Sequence, residues 1–281
     1  MAKRNHSYMP DDCKELCNAL TSVSNRYSTW QIFEDFLMMS SISISNAVDW
    51  NFKEERENTY IDIIKKYDKN ELNRFVKCLS ILVASLDRAF NTVGYYDLLG
   101  KVFHALELHN KYHGQFFTPF HVCEMMGRVN FGEGEILKTQ DYVTCLEPCI
   151  GSGGLVLGLA RAMQIKKFNP QQQLVVTGVD IDIKCVNMAY LQLSLFGIPA
   201  VIIHGNSLTC EEWSIWRTPA YILGLWEIRT RHKGDKYQTQ PTLPEEKEIT
   251  VTESKIQLPN EAPPKFDIEY STNRNGQLCL F

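Results

Sequence analysis

Glu147 closes a hydrophobic run, and Gly151, Ser152, Gly153 and Gly154 follow at once. Glycines let a backbone bend sharply and come close to a ligand, and a helix that starts there points its N-terminus at that ligand. This is how an α/β protein opens a nucleotide-shaped cofactor site. Asp180 closes a second apolar run within Gly178-Val179-Asp180-Ile181-Asp182, where a carboxylate accepts from both hydroxyls of a ribose. Gly114-Gln115-Phe116-Phe117-Thr118-Pro119 lies upstream, and Gly205-Asn206-Ser207 lies downstream.

Elements must hold these residues in place. Apolar patterning predicts strands at Tyr142–Leu146, Leu174–Val179 and Ala200–His204, with helices at Leu155–Gln164 and Ile183–Phe196 between them. Alternating strands and helices give an α/β fold, a parallel doubly wound sheet with right-handed crossovers. Upstream, residues 1–108 read as a helical N-terminal domain of about four to six helices, on the helical spacing of Trp30, Phe33, Phe36 and Leu37 and of Leu79, Leu82, Val83 and Leu86. Its last helix runs from Tyr95 through Leu108 into the Gly114 loop. Residues 109–229 form the cofactor-binding domain. Residues 230–281 are polar and proline-bearing, and read as a flexible tail.

The net charge of -4 excludes a chain that binds nucleic acid by overall basicity. Nine cysteines without metal-like pairing read as reduced thiols of a cytoplasmic protein, with no metal site. No apolar stretch is long enough to span a bilayer, so no membrane partner is expected.

The three motifs, Gly-Gln-Phe-Phe-Thr-Pro, Glu-Pro-x-x-Gly-Ser-Gly-Gly and Gly-x-Asp-Ile-Asp, occur in that order over roughly residues 95 to 226. Together they resemble the adenine-specific (N-6) DNA methyltransferases, with the modification subunits of type I restriction systems and their phage or mobile-element relatives as the nearest group. The resemblance implies an abbreviated Rossmann-like sheet behind a helical domain, S-adenosylmethionine as cofactor, and DNA and a specificity subunit as partners. In that reading Asp180 holds the ribose, Ile181 lies against the adenine, and Glu147 holds the methionine ammonium. Gly151, Ser152, Gly153 and Gly154 bring the backbone close. Gln115, Phe116 and Thr118 close over the methionine end, while Phe117 reads as a core aromatic. Asn206 contacts the adenine amine. The glycines at 151, 153, 154 and 158 miss the Gly-x-Gly-x-x-Gly order, which ranks a nicotinamide dinucleotide well below; Gly158 reads as a packing residue inside the helix.

The family uses an Asp/Asn-Pro-Pro-Tyr/Phe loop to hold the target amine. Its nearest match here is Thr218-Pro219-Ala220-Tyr221, in which Thr218, Pro219 and Tyr221 would be the catalytic set. The sheet looks cut short: only three strands are clear, with Tyr221–Trp226 as a candidate fourth. The segment rich in Trp213, Trp216, Arg217 and Trp226 either caps the sheet or stacks on a base or partner. Two readings stay open, a DNA adenine methyltransferase with a divergent acceptor loop, or an inactive relative that serves as a regulatory or scaffolding subunit. Finally, Gln277, Leu278, Leu280 and Phe281 resemble the short peptide that docks bacterial proteins on the sliding clamp. A coil of about 45 residues before it would reach roughly 40 Å.

Overall fold

The computed structural model describes residues 11–108 and 117–230, together with two short strands at 271–272 and 278–279. Helices α1 (Asp11–Thr21), α2 (Thr29–Ser45), α3 (Lys53–Ile64), α4 (Lys69–Thr92) and α5 (Leu98–Ala105) come first. The α4 helix shows why. Asp68 accepts from the Asn70 and Glu71 amides, and the Glu71 carboxylate accepts from the Asp68 amide at 2.9 Å, so both orphan ends are satisfied. Phe75, Cys78, Leu82 and Leu86 then recur at helical spacing and are buried.

After α6 (Phe120–Phe131) come β1 (Val143–Glu147), α7 (Gly154–Ile165), α8 (Pro170–Gln173), β2 (Leu174–Asp180), α9 (Ile183–Leu195), β3 (Ala200–Asn206), β4 (Glu211–Arg217) and α10 (Pro219–Leu223). The strands lie in the order β1-β2-β3-β4. The first three are parallel, joined by helical crossovers, which is a Rossmann-like arrangement. One apolar core runs from the helical segment into the sheet, including Phe33, Phe36, Leu82, Val176 and Leu191.

The fourth strand differs from expectation. It is Glu211–Arg217, antiparallel to β3, and Tyr221–Trp226 is no strand. A hairpin needs only a tight turn, here residues 207–210 with Cys210 at φ 58°, so no crossover helix is required. Arg56 on α3 ties this strand to the helical segment. Its guanidinium donates to the Ile215 carbonyl at 2.6 Å and to Ser45, pairs with Asp49 at 3.5 Å, and lies 4.1 Å over the Trp216 ring. On the other face, Tyr142, Val175 and Trp226 form a small buried cluster, with the Tyr142 and Trp226 rings edge to face at 5.1 Å.

Helices α6 and α7 meet backbone to backbone. A methyl group on Gly158 would stand 2.4 Å from the Cys123 carbonyl oxygen, and one on Gly127 would stand 2.5 Å from that of Gly158. Gly158 is therefore a close-approach residue of the helix pair. In the separate unit spanning 238–281, β5 (Ser271–Thr272) pairs antiparallel with β6 (Leu278–Cys279).

Candidate cofactor site

Strand register brings the acidic residues together. Glu147 pairs with Gly178 and Asp180 pairs with His204. Side chains alternate faces along a strand, so Glu147, Asp180 and Asn206 project from one face at the C-terminal tips of β1, β2 and β3. This is the edge at which open α/β sheets bind ligands.

The bend between β1 and α7 is fastened to β2. The Ile150 amide donates to the Val179 carbonyl at 2.9 Å, and the Gly151 amide donates to the Asp180 carboxylate at 2.9 Å. Gly151 (φ 55°) and Gly153 (φ 89°) occupy the left-handed region that favours glycine. A side chain at Gly151 would meet the Phe117 ring at 3.1 Å. Phe117 thus lies over the bend, supported by Phe103 at 4.9 Å and His104 at 5.5 Å between ring centroids.

The site is acidic and strained electrostatically. Burial pushes the Asp180 carboxyl up; the amides of Asp182 and Gly151 pull it back, and the Asp182 charge adds to the rise. Burial also pushes Glu147 up, against the Cys149 amide and with the charge of Asp180 adding to it. The two carboxylates therefore feel one another. The nearby cation Lys184 is taken by Asp182 at 2.8 Å and lies 4.6 Å over the Trp30 ring. Beside Asp180, Ile181 is 61% exposed, an apolar face offered to solvent at the rim. Such a strand edge suits a ligand with a hydroxylated sugar, a flat apolar ring and positive charge.

A family model described as N-6 DNA methylase matches residues 95–251, more than half of the chain. The chain belongs to the N-6 DNA methylase family. No curated protein matches it. Among solved structures it is similar to one from Listeria monocytogenes assigned as a class I S-adenosylmethionine-dependent methyltransferase, at 15% identity and a TM-score of 0.39, over 70% of this chain and 54% of that one. It is also similar to the methyltransferase subunit of a type I restriction-modification system from Streptococcus thermophilus, at 15% identity and a TM-score of 0.38, over 73% and 59%. The chain thus spans little more than half the length of either.

In this member of the family Ser152 and Asn206 make contacts other than those expected of them. Ser152 is buried, and its hydroxyl turns inward to donate to Asp97 at 2.6 Å, so only its backbone faces the bend. The Asn206 amide oxygen accepts from the Leu208 and Thr209 amides at 3.0 and 3.4 Å, which commits it to the β3–β4 turn and leaves no oxygen for an adenine amine. Thr118 is exposed, and its carbonyl takes the Cys123 thiol at 3.5 Å. Gln115 and Phe116 lie outside the described residues.

The largest correction concerns Thr218, Pro219 and Tyr221. Thr218 is the N-cap of α10, with Pro219 opening that helix. It is fully buried; its hydroxyl donates to the Ile198 carbonyl at 2.9 Å and accepts from the Ala200 amide at 2.9 Å. Ala200 starts β3, whereas the acidic tips are at the strand ends. Asp180 lies level with His204, four residues along β3, so at about 3.3 Å per residue the motif sits about 13 Å from it. Tyr221 packs against the Tyr142, Val175 and Trp226 cluster. This tetrapeptide is a helix start, not an acceptor loop.

Residues 277, 280 and 281 of the clamp-like peptide lie outside the described residues, and Leu278 is described only within β6. None of the comparisons points to a sliding clamp. Among the described residues, no helix is long and apolar enough to cross a membrane, and no group of three or more His, Cys, Asp or Glu side chains is placed to hold a metal ion. Three residues beside or behind the site carried no motif signal. His204 lies beside Asp180 with its ring 4.8 Å from that of Trp213, and Asp97 and Gln192 stand behind the bend. Only Asp97 left a trace, as an acidic residue directly before an apolar helix.

Proposed function

We propose that the acidic strand tips bind S-adenosylmethionine and that the protein acts in N-6 adenine methylation of DNA. The observation that carries this reading is the pair Glu147 and Asp180, on one sheet face and flanking a bend with two left-handed glycines. The residues fit the cofactor. Each Asp180 oxygen accepts one backbone amide and keeps a lone pair for a ribose hydroxyl. Ile181 offers its exposed side chain to the adenine ring, and Glu147 offers a negative charge to the methionine ammonium. When bound, the cofactor supplies an electrophilic methyl group on a sulfonium. The chain's own part is to hold it, to keep buried cations from the sulfonium, and to shield the bend with Phe117.

DNA as substrate fits membership of the N-6 DNA methylase family, and a specificity subunit as partner is proposed on the resemblance to type I modification subunits. Thr218, spent on a helix cap, is not proposed as the acceptor of the target amine. Calorimetric titration with S-adenosylmethionine tests the core claim: the wild type should bind and Asp180→Ala should not. Transfer of labelled methyl to DNA, with and without partner subunits, tests the activity. Absence of binding by the wild type, or equal binding by Asp180→Ala, overturns the proposal.

A further inference from the structure

The glycine bend is also held from behind. Asp97, the N-cap of α5, accepts from the Gly100 amide at 2.8 Å, the Ser152 hydroxyl at 2.6 Å and the Gln192 side-chain amide at 2.9 Å. Gln192 on α9 donates as well to the Ser152 carbonyl at 2.7 Å, and its oxygen accepts from the Leu98 and Leu99 amides at 2.9 and 3.0 Å. Asp97 is 4% exposed and Gln192 not at all. The approach is close enough to demand glycine. A methyl group on Gly100 would fall 2.2 Å from an Asp97 carboxylate oxygen and 2.7 Å from the Ser152 hydroxyl. Burying a carboxylate is costly, and burial does push the Asp97 carboxyl up, against its three hydrogen bonds. A core that needed only apolar filling would not place an acid and an amide here.

We infer that Asp97 and Gln192 are positioning residues for the cofactor site, which set the backbone of Gly151–Gly154 from α5 and α9 without touching the ligand. The inference rests on the cofactor reading above and deepens it. Three elements distant in sequence meet at Ser152, whose hydroxyl and carbonyl are both gripped. Its neighbours Gly151 and Gly153 lie in the left-handed region, so the grip fixes a conformation that a free glycine chain would leave for many others.

The test compares Asp97→Asn, Ser152→Ala and the double variant in the full chain. Two readouts are taken, the dissociation constant for S-adenosylmethionine and the hydrogen exchange of the Gly153 and Gly154 amides, with Leu82 in α4 as an internal control. Asp97→Asn turns an amide toward the Ser152 hydroxyl and should weaken binding about tenfold, about 1.4 kcal/mol. Ser152→Ala should weaken it several-fold, and the double variant should be no worse than Asp97→Asn, because both act through one bond. Exchange at the bend should quicken while Leu82 stays unchanged. A fall in melting temperature with unchanged affinity and unchanged exchange at the bend would show a merely structural role and overturn the inference. If Asp97→Asn does not fold, Ser152→Ala decides by the same readouts. If the wild type binds no cofactor, the proposed function falls separately, and exchange at the bend alone decides this one.

Discussion

Replacing Thr218 by Ala separates an architectural threonine from a catalytic one. The hydroxyl caps α10 by accepting from the Tyr221 amide, accepts from the buried Ala200 amide and donates to the Ile198 carbonyl. Loss of a threonine cap costs about 1 kcal/mol. The Ala200 amide, left without a partner inside the protein, costs about 2 kcal/mol more. A total of about 3 kcal/mol lowers the melting temperature by about 6–12 °C in a chain of this size. Asp180 lies level with His204, about 13 Å along β3 from Ala200, and Thr218 makes no contact with it, so affinity for S-adenosylmethionine at a temperature well below melting should not change. Thr218→Ser restores the hydroxyl and should recover most of the stability, and Thr218→Val, equal in volume, should not.

The assay is a thermal melt followed by circular dichroism beside a calorimetric titration of each folded variant. The opposite pattern would refute the reasoning: Thr218→Ala melting within a degree of the wild type while cofactor binding or methyl transfer is lost. That result would mean that the hydroxyl faces a ligand and that the start of β3 is not where α10 docks.

Three further outcomes are expected. Burial raises the carboxyls of Asp97, Asp180 and Glu147, so between the ordinary carboxylate range and their raised values the folded chain holds more protons than the unfolded one. Stability of the ligand-free protein therefore falls as pH rises through that window, while affinity for the cationic cofactor rises; melts and titrations at stepped pH check both, and pH-independent affinity would count against the acidic pair. Gly158→Ala should cost about 2 kcal/mol by forcing α6 from α7, read as an earlier urea midpoint, because the new methyl meets the Cys123 carbonyl rather than a side chain that can swing away. Arg56→Leu should cost about 3 kcal/mol in the same assay, since it leaves buried Asp49 with only the longer Arg217 pair at 3.9 Å and takes the guanidinium from the Ile215 carbonyl; an unchanged midpoint would show that β4 does not depend on α3.

The parts legible in the sequence were those with local causes. Apolar runs broken by glycine specify β1, β2 and β3 and the bend at Gly151 without help from distant residues. The strand Glu211–Arg217 carries no clean apolar alternation, since Trp213, Ile215 and Arg217 share one face and Glu212, Ser214 and Trp216 the other, and it joins β3 through a hairpin turn rather than a crossover helix. Thr218-Pro219 carries the ordinary signature of a helix start, a capping hydroxyl with proline at the first position, and that signature overlaps the proline and aromatic of an acceptor loop. Asp97 was legible only as a helix cap and Gln192 not at all, for a different reason. Each is a single polar residue in an apolar helix environment, and their meaning exists only where α5, α9 and the bend converge.

The same convergence explains how so acidic a site is tolerated. Two carboxylates at neighbouring strand tips repel, and partial burial deepens the cost; the fold offsets this without a neutralising side chain. Backbone amides of Gly151 and Asp182 take one lone pair from each Asp180 oxygen, the Cys149 amide does the same for Glu147, and Lys184 is drawn off by Asp182. Dipoles fixed in the backbone stabilise negative charge without filling the space before it, as a lysine would. On the proposed reading this edge keeps a residual demand for positive charge that a ligand can meet, and the inferred grip of Asp97 and Gln192 on Ser152 keeps those amides aimed. On this logic a lysine placed at Ile181 would satisfy the carboxylates from within and remove the reason for the cofactor to bind.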